Sequence, residues 1–444
     1  MSDSVVVIVG PARSGKARRV LGLYSEALAR GARAIMLVPT QQRRKLTIRR
    51  LLDATPARAA VRPNVFTFEA FAEAILAKSS EPIRLISPTR RRAMIRSLLD
   101  GIKLRGEAGG FAPLVDSPGL ITALDSFVSE LKRAQVAPDA FSSAALARRA
   151  SSDKDNALGL LYRAYQRRLQ AEDLYDDEGR FWRVKQLLAD GFFAPFEGLE
   201  LVVVDGFQDF TAAQIDILEH LAGRCREMVF TLTLDRGRRD LFAVTERTLA
   251  RLEELFKNGI RVEEMPGEAK GLPPDLQHLR LNLFAEPGSV ESARASGAVS
   301  IISAAGAVRE TEAIARRIKD ILAAGDVAPG QTAVIVRSLS AYEDIIREVF
   351  PRYGIRFAPG AGLPLMRCPA VRAAVALLDM PASNYARRDV MRFIKSAYFN
   401  PASIGFERAD VDLVDRLTRE ANVFVGMESY FAGLRWLRSS AEGH

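Results

Sequence analysis

The stretch Val5-Val6-Val7-Ile8-Val9-Gly10-Pro11-Ala12-Arg13-Ser14-Gly15-Lys16 joins an uninterrupted apolar run, mostly β-branched, to a loop bounded by glycines. The run is too short for a helix and shows no polar alternation, so it reads as a strand buried on both faces, as in a parallel sheet. Beyond it, from Arg18 to Gly31, the apolar residues Val20, Leu21, Tyr24 and Leu28 recur at helical spacing. A strand, a glycine-containing turn and a helix opening near Lys16 make the context in which backbone N–H groups wrap a phosphate. Glycines permit the tight path, the helix N-terminus faces the anion, and a lysine reaches the terminal phosphates. Gly10, Ser14, Gly15, Lys16 and Ala17 are therefore the candidate nucleotide-binding residues, with ATP and Mg2+ as the corresponding cofactors. One position departs from the pattern: Ala17 stands where a Ser or Thr hydroxyl ligates magnesium. The loop can bind phosphate or can be kept for packing alone, and both readings stay open at this point.

Working outward, Ala34–Val38, Asn64–Thr67, Leu199–Val204 and Met228–Leu234 read as further strands, and Phe68–Leu76 as a helix. Between them, from Ser87 to about Ala189, the pattern is helical throughout. It opens with a Ser87-Pro88 cap and carries helices near Leu120–Val136 and Ala157–Gln170. The fold class is α/β, a parallel-sheet domain interrupted by a large all-helical insertion. Gly/Pro-rich and polar segments at Pro266–Pro274 and Gly288–Gly297 read as linkers. Val299–Ser303 and Thr332–Val336 read as strands flanking a helix over Glu310–Leu322. A helix over Tyr342–Val349 and a short strand at Arg356-Phe357 follow. The expected organisation is a first α/β domain from 1–86 and 190–265, a helical insertion at 87–189, a linker at 266–297, the start of a second α/β domain at 298–382, and a helical tail at 383–444.

At 444 residues the chain has room for two or three domains of about 150 residues. With 48% hydrophobic and 26% charged residues it reads as globular, and no apolar run reaches the roughly 18 residues of a membrane span. An acidic residue, Asp3, precedes the first apolar run and no cleavage site follows it, so a cytoplasmic location is expected. Two cysteines, Cys225 and Cys368, are too few for an iron–sulfur cluster in this segment, and three histidines cannot build a histidine-rich metal centre. A net charge of +9, from 63 basic and 54 acidic residues, is compatible with binding nucleic-acid phosphates.

A second motif, Leu201-Val202-Val203-Val204-Asp205-Gly206-Phe207-Gln208-Asp209-Phe210, is followed by Gln214. A carboxylate at the end of a buried strand can hold magnesium as a Walker B aspartate does, so Asp205 is the candidate Mg2+ contact. The residue that should position or deprotonate the attacking water is replaced by Gly206, which has no proton acceptor. A general-base contribution of typically a hundred- to ten-thousand-fold (about 10²–10⁴) is thereby absent unless another residue supplies it.

Asp205-Gly206-Phe207-Gln208-Asp209 with Gln214 resembles motif II of UvrD/Rep-type superfamily 1 helicases, with glycine in place of glutamate. Together with the weak P-loop, Leu37-Val38-Pro39-Thr40-Gln41 and Phe66-Thr67-Phe68, it is similar to the AddB (RexB-like) subunit of bacterial ATP-dependent helicase–nucleases. Asp173-Leu174-Tyr175-Asp176, Glu310-Thr311-Glu312, Ala333 to Ser338 and Pro364 to Leu378 extend the resemblance to residues 4 to about 382. The resemblance implies a P-loop NTPase, superfamily 1 helicase-like fold that is not a working motor. It implies DNA and an AddA-like motor subunit as partners in a heterodimer, no membrane, and a role in double-strand-break processing and recombinational repair. Asp205 and Arg337 are the catalytic candidates if the chain is an ATPase, Arg337 standing where a motor places an arginine on the γ-phosphate. DNA-binding candidates are Thr40, Gln41 and Thr67, the basic run Arg43, Arg44, Lys45, and Arg90, Arg91 and Arg92. Phe66 and Phe68 are candidates for base stacking or for the core. The family's nuclease domain, its cysteines and motifs V and VI are not matched, so the chain reads as an N-terminal piece of a longer protein. The competing readings are an ATP-driven superfamily 1 translocase and a nucleotide-binding P-loop protein without a DNA function.

Overall fold

The apolar runs become strands because each is buried on both sides. The computed structural model describes residues 4–54, 63–80, 83–115, 117–147, 153–257, 259–267, 271–286, 288–325, 327–358 and 365–442. Met1–Asp3, linker residues 268–270 and 287, Pro364 and the last two tail residues lie outside the described residues. The chain divides into two units, Met1–Val299 and Ser300–His444.

In the first unit the strands are β1 (Ser4–Gly10), β2 (Ala34–Leu37), β3 (Val65–Phe66), β4 (Arg84–Leu85), β5 (Leu174–Tyr175), β6 (Leu201–Val204), β7 (Glu227–Thr233) and β8 (Ile260–Glu264). Six of them form one sheet in the order β3-β2-β6-β7-β1-β8, and every neighbouring pair is parallel. Alternate side chains enter opposite cores. Val5, Val7, Val9, Val202, Val204 and Phe230 join one, while Val6, Ile8, Met36, Val203 and Val229 join the other. Removing such side chains from water contributes on the order of 1.5–3 kcal/mol each, which explains runs without polar alternation. The edge strand β8 was not foreseen. Its sequence Ile-Arg-Val-Glu-Glu is half polar, and it pairs with β1 on one side alone.

The helices of this unit are α1 (Lys16–Ala29), α2 (Gln41–Ala54), α3 (Phe68–Leu76), α4 (Pro88–Leu104), α5 (Pro118–Arg133), α6 (Pro138–Ala147), α7 (Asp153–Ala171), α8 (Asp177–Ala189), α9 (Ala212–Ala222), α10 (Ala243–Leu255) and α11 (Pro274–Asn282). Helices α4 to α7 enclose their own core around Ile95, Leu99, Val128, Tyr162 and Tyr165. The two-residue strands β4 and β5 pair in parallel and tie the start of the insertion to its end. The stretch read as linker contains α11, and Asp275 at its start accepts from Ser296 Oγ (2.5 Å), Ala298 N–H (3.0 Å) and Val299 N–H (3.2 Å).

The second unit carries α12 (Gly306–Ala323) and α13 (Leu339–Arg352), packed through Ala315, Ile318, Ile346, Val349 and Phe350, and then further helices from Pro369 to Glu442. The strands expected at Val299–Ser303, Thr332–Val336 and Arg356-Phe357 are not formed; among the described residues, no strand is present after Glu264. A strand needs a lateral partner for its N–H and C=O groups, and Ile301 and Ile335 remain 94% and 92% exposed. No helix among the described residues is long and apolar enough to cross a membrane.

Candidate functional site

The loop after β1 is shaped by residues in left-handed conformation. Arg13 has φ 64° and Gly15 φ 93°, and α1 begins immediately afterwards at Lys16. Gly10 is required for a different reason, close approach. A Cβ there would lie 2.7 Å from the Met265 carbonyl oxygen and 2.9 Å from Ser14 Oγ. Because Met265 N–H donates to Val9 O at 2.8 Å, the neighbouring chain cannot withdraw without loosening the extension of β8. Gly10→Ala is expected to cost about 1–3 kcal/mol in a denaturant melt; an unchanged midpoint would show that the loop relaxes freely.

Lys16 is buried and folded over this loop. Its Nζ donates to Gly10 O (2.6 Å), Pro11 O (2.8 Å) and Ser14 Oγ (3.2 Å), all of them neutral acceptors. Burial pulls its pKa down to about 8, and the nearby Asp205 charge opposes the shift. A buried ammonium resting on neutral oxygens is suited to an anionic ligand, which supplies the charge the loop lacks.

Asp205 directly follows β6, and β7 separates that strand from β1. Both of its oxygens are engaged: Oδ1 accepts from Thr231 Oγ1 at 2.6 Å, and Oδ2 pairs with Arg43 Nη2 at 2.9 Å. Thr231 Oγ1 also accepts the Gly206 N–H at 3.2 Å. Gly206 has φ 85°, a conformation that glycine adopts without strain and glutamate does not.

The residues proposed for DNA are dispersed and differently employed. Thr40 is exposed and its Oγ1 accepts the Arg43 N–H at 3.1 Å at the start of α2; Gln41 and Lys45 are also exposed. Arg43 is bound to Asp205, and Arg44 Nε donates to Val65 O at 2.6 Å. Thr67 is buried and caps α3 through the Ala70 N–H at 3.3 Å. Arg90 is exposed and pairs with Glu172 at 2.8 Å, and Arg92 is exposed. Arg91, in contrast, lies inside the insertion with Asp125 at 2.6 Å and Glu178 at 3.2 Å, because the helical period turns that one member of the run inward. Phe68 belongs to the core, edge-on to Phe207 at 5.4 Å between ring centres, and Phe66 packs edge-on to Phe196 at 5.3 Å. Arg337 is exposed in the second unit.

Two participants carry little signal in the sequence. Thr231 could have been found as the polar residue inside the apolar run Met228-Val229-Phe230-Thr231-Leu232. Arg43 gave no such signal, since it is one of three adjacent basic residues and its partner lies 162 positions away.

A family profile described as "ADDB, N-terminal" matches residues 7–279, from β1 into α11. Proteins named as the B subunit of an ATP-dependent helicase/deoxyribonuclease, from Bacillus mycoides, Bacillus cereus and Bacillus anthracis, are each 26% identical over 426 residues. Each alignment covers 90% of this chain and 36% of the relative, so the chain spans about a third of the length of these curated relatives. The matched span contains the Lys16 loop, Arg43, Asp205 and Thr231, and on it the chain belongs to the AddB N-terminal family.

Proposed function

We propose that this chain is the helicase-like, motor-inactive and DNA-binding part of the B subunit of an AddAB-type helicase–nuclease, acting in double-strand-break end processing and recombinational repair beside an AddA-like motor subunit. Support for the complex comes from the relatives, which are named as one subunit of a helicase/deoxyribonuclease. Support for a P-loop NTPase arrangement of the superfamily 1 type comes from the strand order, in which β7 lies between the loop-bearing β1 and the Asp205-bearing β6. ATP is the ligand proposed for the Lys16 loop.

The observation that carries the motor-inactive reading is the condition of Asp205. Its carboxylate is shared between Thr231 and Arg43, and Gly206 offers no base for water. Nucleotide is therefore held without rapid turnover. DNA contact falls to exposed groups, among them Thr40, Gln41, Lys45, Arg90 and Arg92.

Steady-state phosphate release by the purified chain should stay at background with or without single-stranded DNA. DNA-stimulated release that Lys16→Ala abolishes would instead favour an ATP-driven superfamily 1 translocase. Binding of single-stranded DNA should weaken steeply as salt is raised, because phosphate neutralisation releases counterions. Absence of any DNA binding would favour a nucleotide-binding protein without a DNA function.

A further inference from the structure

We infer that Arg43 occupies the role of the divalent cation, so that the Lys16 loop takes a nucleoside triphosphate free of metal. This rests on the nucleotide-binding reading above and adds the form of the ligand.

Magnesium does not fit the residues present. In a P-loop enzyme the ion is held by a hydroxyl at the start of the helix and by the strand-end aspartate. Here the hydroxyl position is Ala17, and the aspartate's oxygens are taken by Thr231 at 2.6 Å and Arg43 at 2.9 Å. To admit the ion, Asp205 would have to share oxygens that already accept from Thr231 and, in a charge-assisted hydrogen bond, from Arg43, with no second protein oxygen gained at position 17.

What stands beside Asp205 is a positioned guanidinium. Arg43 lies in the first turn of α2, where Thr40 Oγ1 accepts its backbone N–H. Gly206 borders it: a Cβ at that position would sit 3.5 Å from Arg43 Nε and 3.8 Å from its Cζ, ordinary contact distances, and it is the φ of 85° that disfavours a glutamate there. The glycine that stands in place of the glutamate and the arginine are neighbours at the end of β6. Arg43 Nε is enclosed and has no hydrogen-bond acceptor, a donor left over after Nη2 has been committed to Asp205. A buried donor without a partner is unfavourable, and an incoming phosphate oxygen or a water is what relieves it.

Asp205 acts on two cations, pairing with Arg43 and lowering the cost of the buried charge on Lys16. A triphosphate without metal presents oxygens to both. The same nucleotide carrying Mg2+ brings a third cation to a carboxylate whose two oxygens already accept from Thr231 and Arg43. Arginine suits the task because its planar fork keeps its charge at any working pH and can hold carboxylate and phosphate together.

The test uses the purified chain and a fluorescent methylanthraniloyl derivative of ATP, titrated once in excess EDTA and once in excess Mg2+. Affinity in EDTA should equal or exceed that in Mg2+, within about threefold. Arg43→Ala should weaken binding in EDTA by about tenfold and make it respond to Mg2+, because one charge-assisted contact is removed and Asp205 is freed. Arg43→Lys, which keeps the charge and loses the fork, should fall between the two and guards against an alanine variant that misfolds. Wild-type binding that drops about tenfold or more on metal removal would overturn the inference while leaving nucleotide binding intact. Equal binding by the wild type and a folded Arg43→Ala variant would also overturn it. No binding under either condition removes the nucleotide reading and this inference with it.

Discussion

Replacing Asp176 by alanine is expected to destabilise the first unit by about 3–5 kcal/mol, because it leaves the Lys132 ammonium buried without a counter-charge. Lys132 and Asp176 are each 1% exposed. The Asp176 carboxylate accepts from Lys132 Nζ at 2.6 and 2.8 Å, from Tyr165 O–H at 2.8 Å and from the Gly179 N–H at 2.7 Å. One side chain therefore ties α5, α7 and the N-terminus of α8 together at the root of the insertion. Burial pushes its pKa up, yet Lys132 and the hydrogen bonds outweigh burial and hold it below the ordinary carboxylate value. A carboxylate depressed on folding stabilises the protein above its unfolded pKa, and that contribution is lost as pH falls through the lower, folded value. In urea melts at neutral pH Asp176→Ala should show the full loss. The paired variant Lys132→Met with Asp176→Leu should recover only part of it, since it removes the unpaired charge but still leaves the Tyr165 O–H and the Gly179 N–H without their acceptor. A loss under about 1 kcal/mol in the single variant would mean that water or a rearranged partner satisfies Lys132.

The second large effect concerns ligand binding. Lys16→Ala should weaken ATP binding by about tenfold to a hundredfold, the range for losing a cation's hydrogen bonds to an anion. The pH dependence has a definite sign. Free Lys16 has a pKa near the value of about 8 that burial imposes. A bound phosphate favours the protonated form and raises that value. Below about pH 8 the amine is protonated with and without ligand, so affinity is flat. Above about pH 8 binding takes up a proton, and affinity falls by as much as about tenfold per pH unit until the raised value is passed. Isothermal titration across pH 7 to 10 in buffers of differing ionisation heat should detect that proton. A flat profile, or Lys16→Ala binding like the wild type, would remove Lys16 from the ligand.

The sheet was legible because its strands are short, apolar on both faces and separated by clear turn and helix signals. Val5–Val9 and Leu201–Val204 needed no tertiary information. Edge strand β8 was not, since its Arg261, Glu263 and Glu264 are polar and pairing with β1 decides its state. In the second unit the apolar segments around Ile301 and Ile335 carry strand-like sequence, but among the described residues no neighbouring strand accepts them. Propensity without a partner does not make a strand.

The site was half legible. The glycines, Lys16, Asp205 and the glycine that follows it are local features that a sequence displays. The Arg43–Asp205 pair joins α2 to the end of β6 and becomes visible only when the parallel sheet sets β2 beside β6. Arg91 shows the same limit in reverse. Its neighbours Arg90 and Arg92 are exposed, whereas Asp125 and Glu178 draw it inside. Charge runs announce composition, and the fold decides which members face solvent.

The most direct test is to recover the nucleotide bound to the chain after incubation with ATP, Mg2+ and single-stranded DNA, and to separate triphosphate from diphosphate. Recovery of intact ATP is the predicted result, a loop that holds nucleotide beside an aspartate already engaged by protein. Recovery of ADP, formed faster than in the Lys16→Ala control, would contradict it.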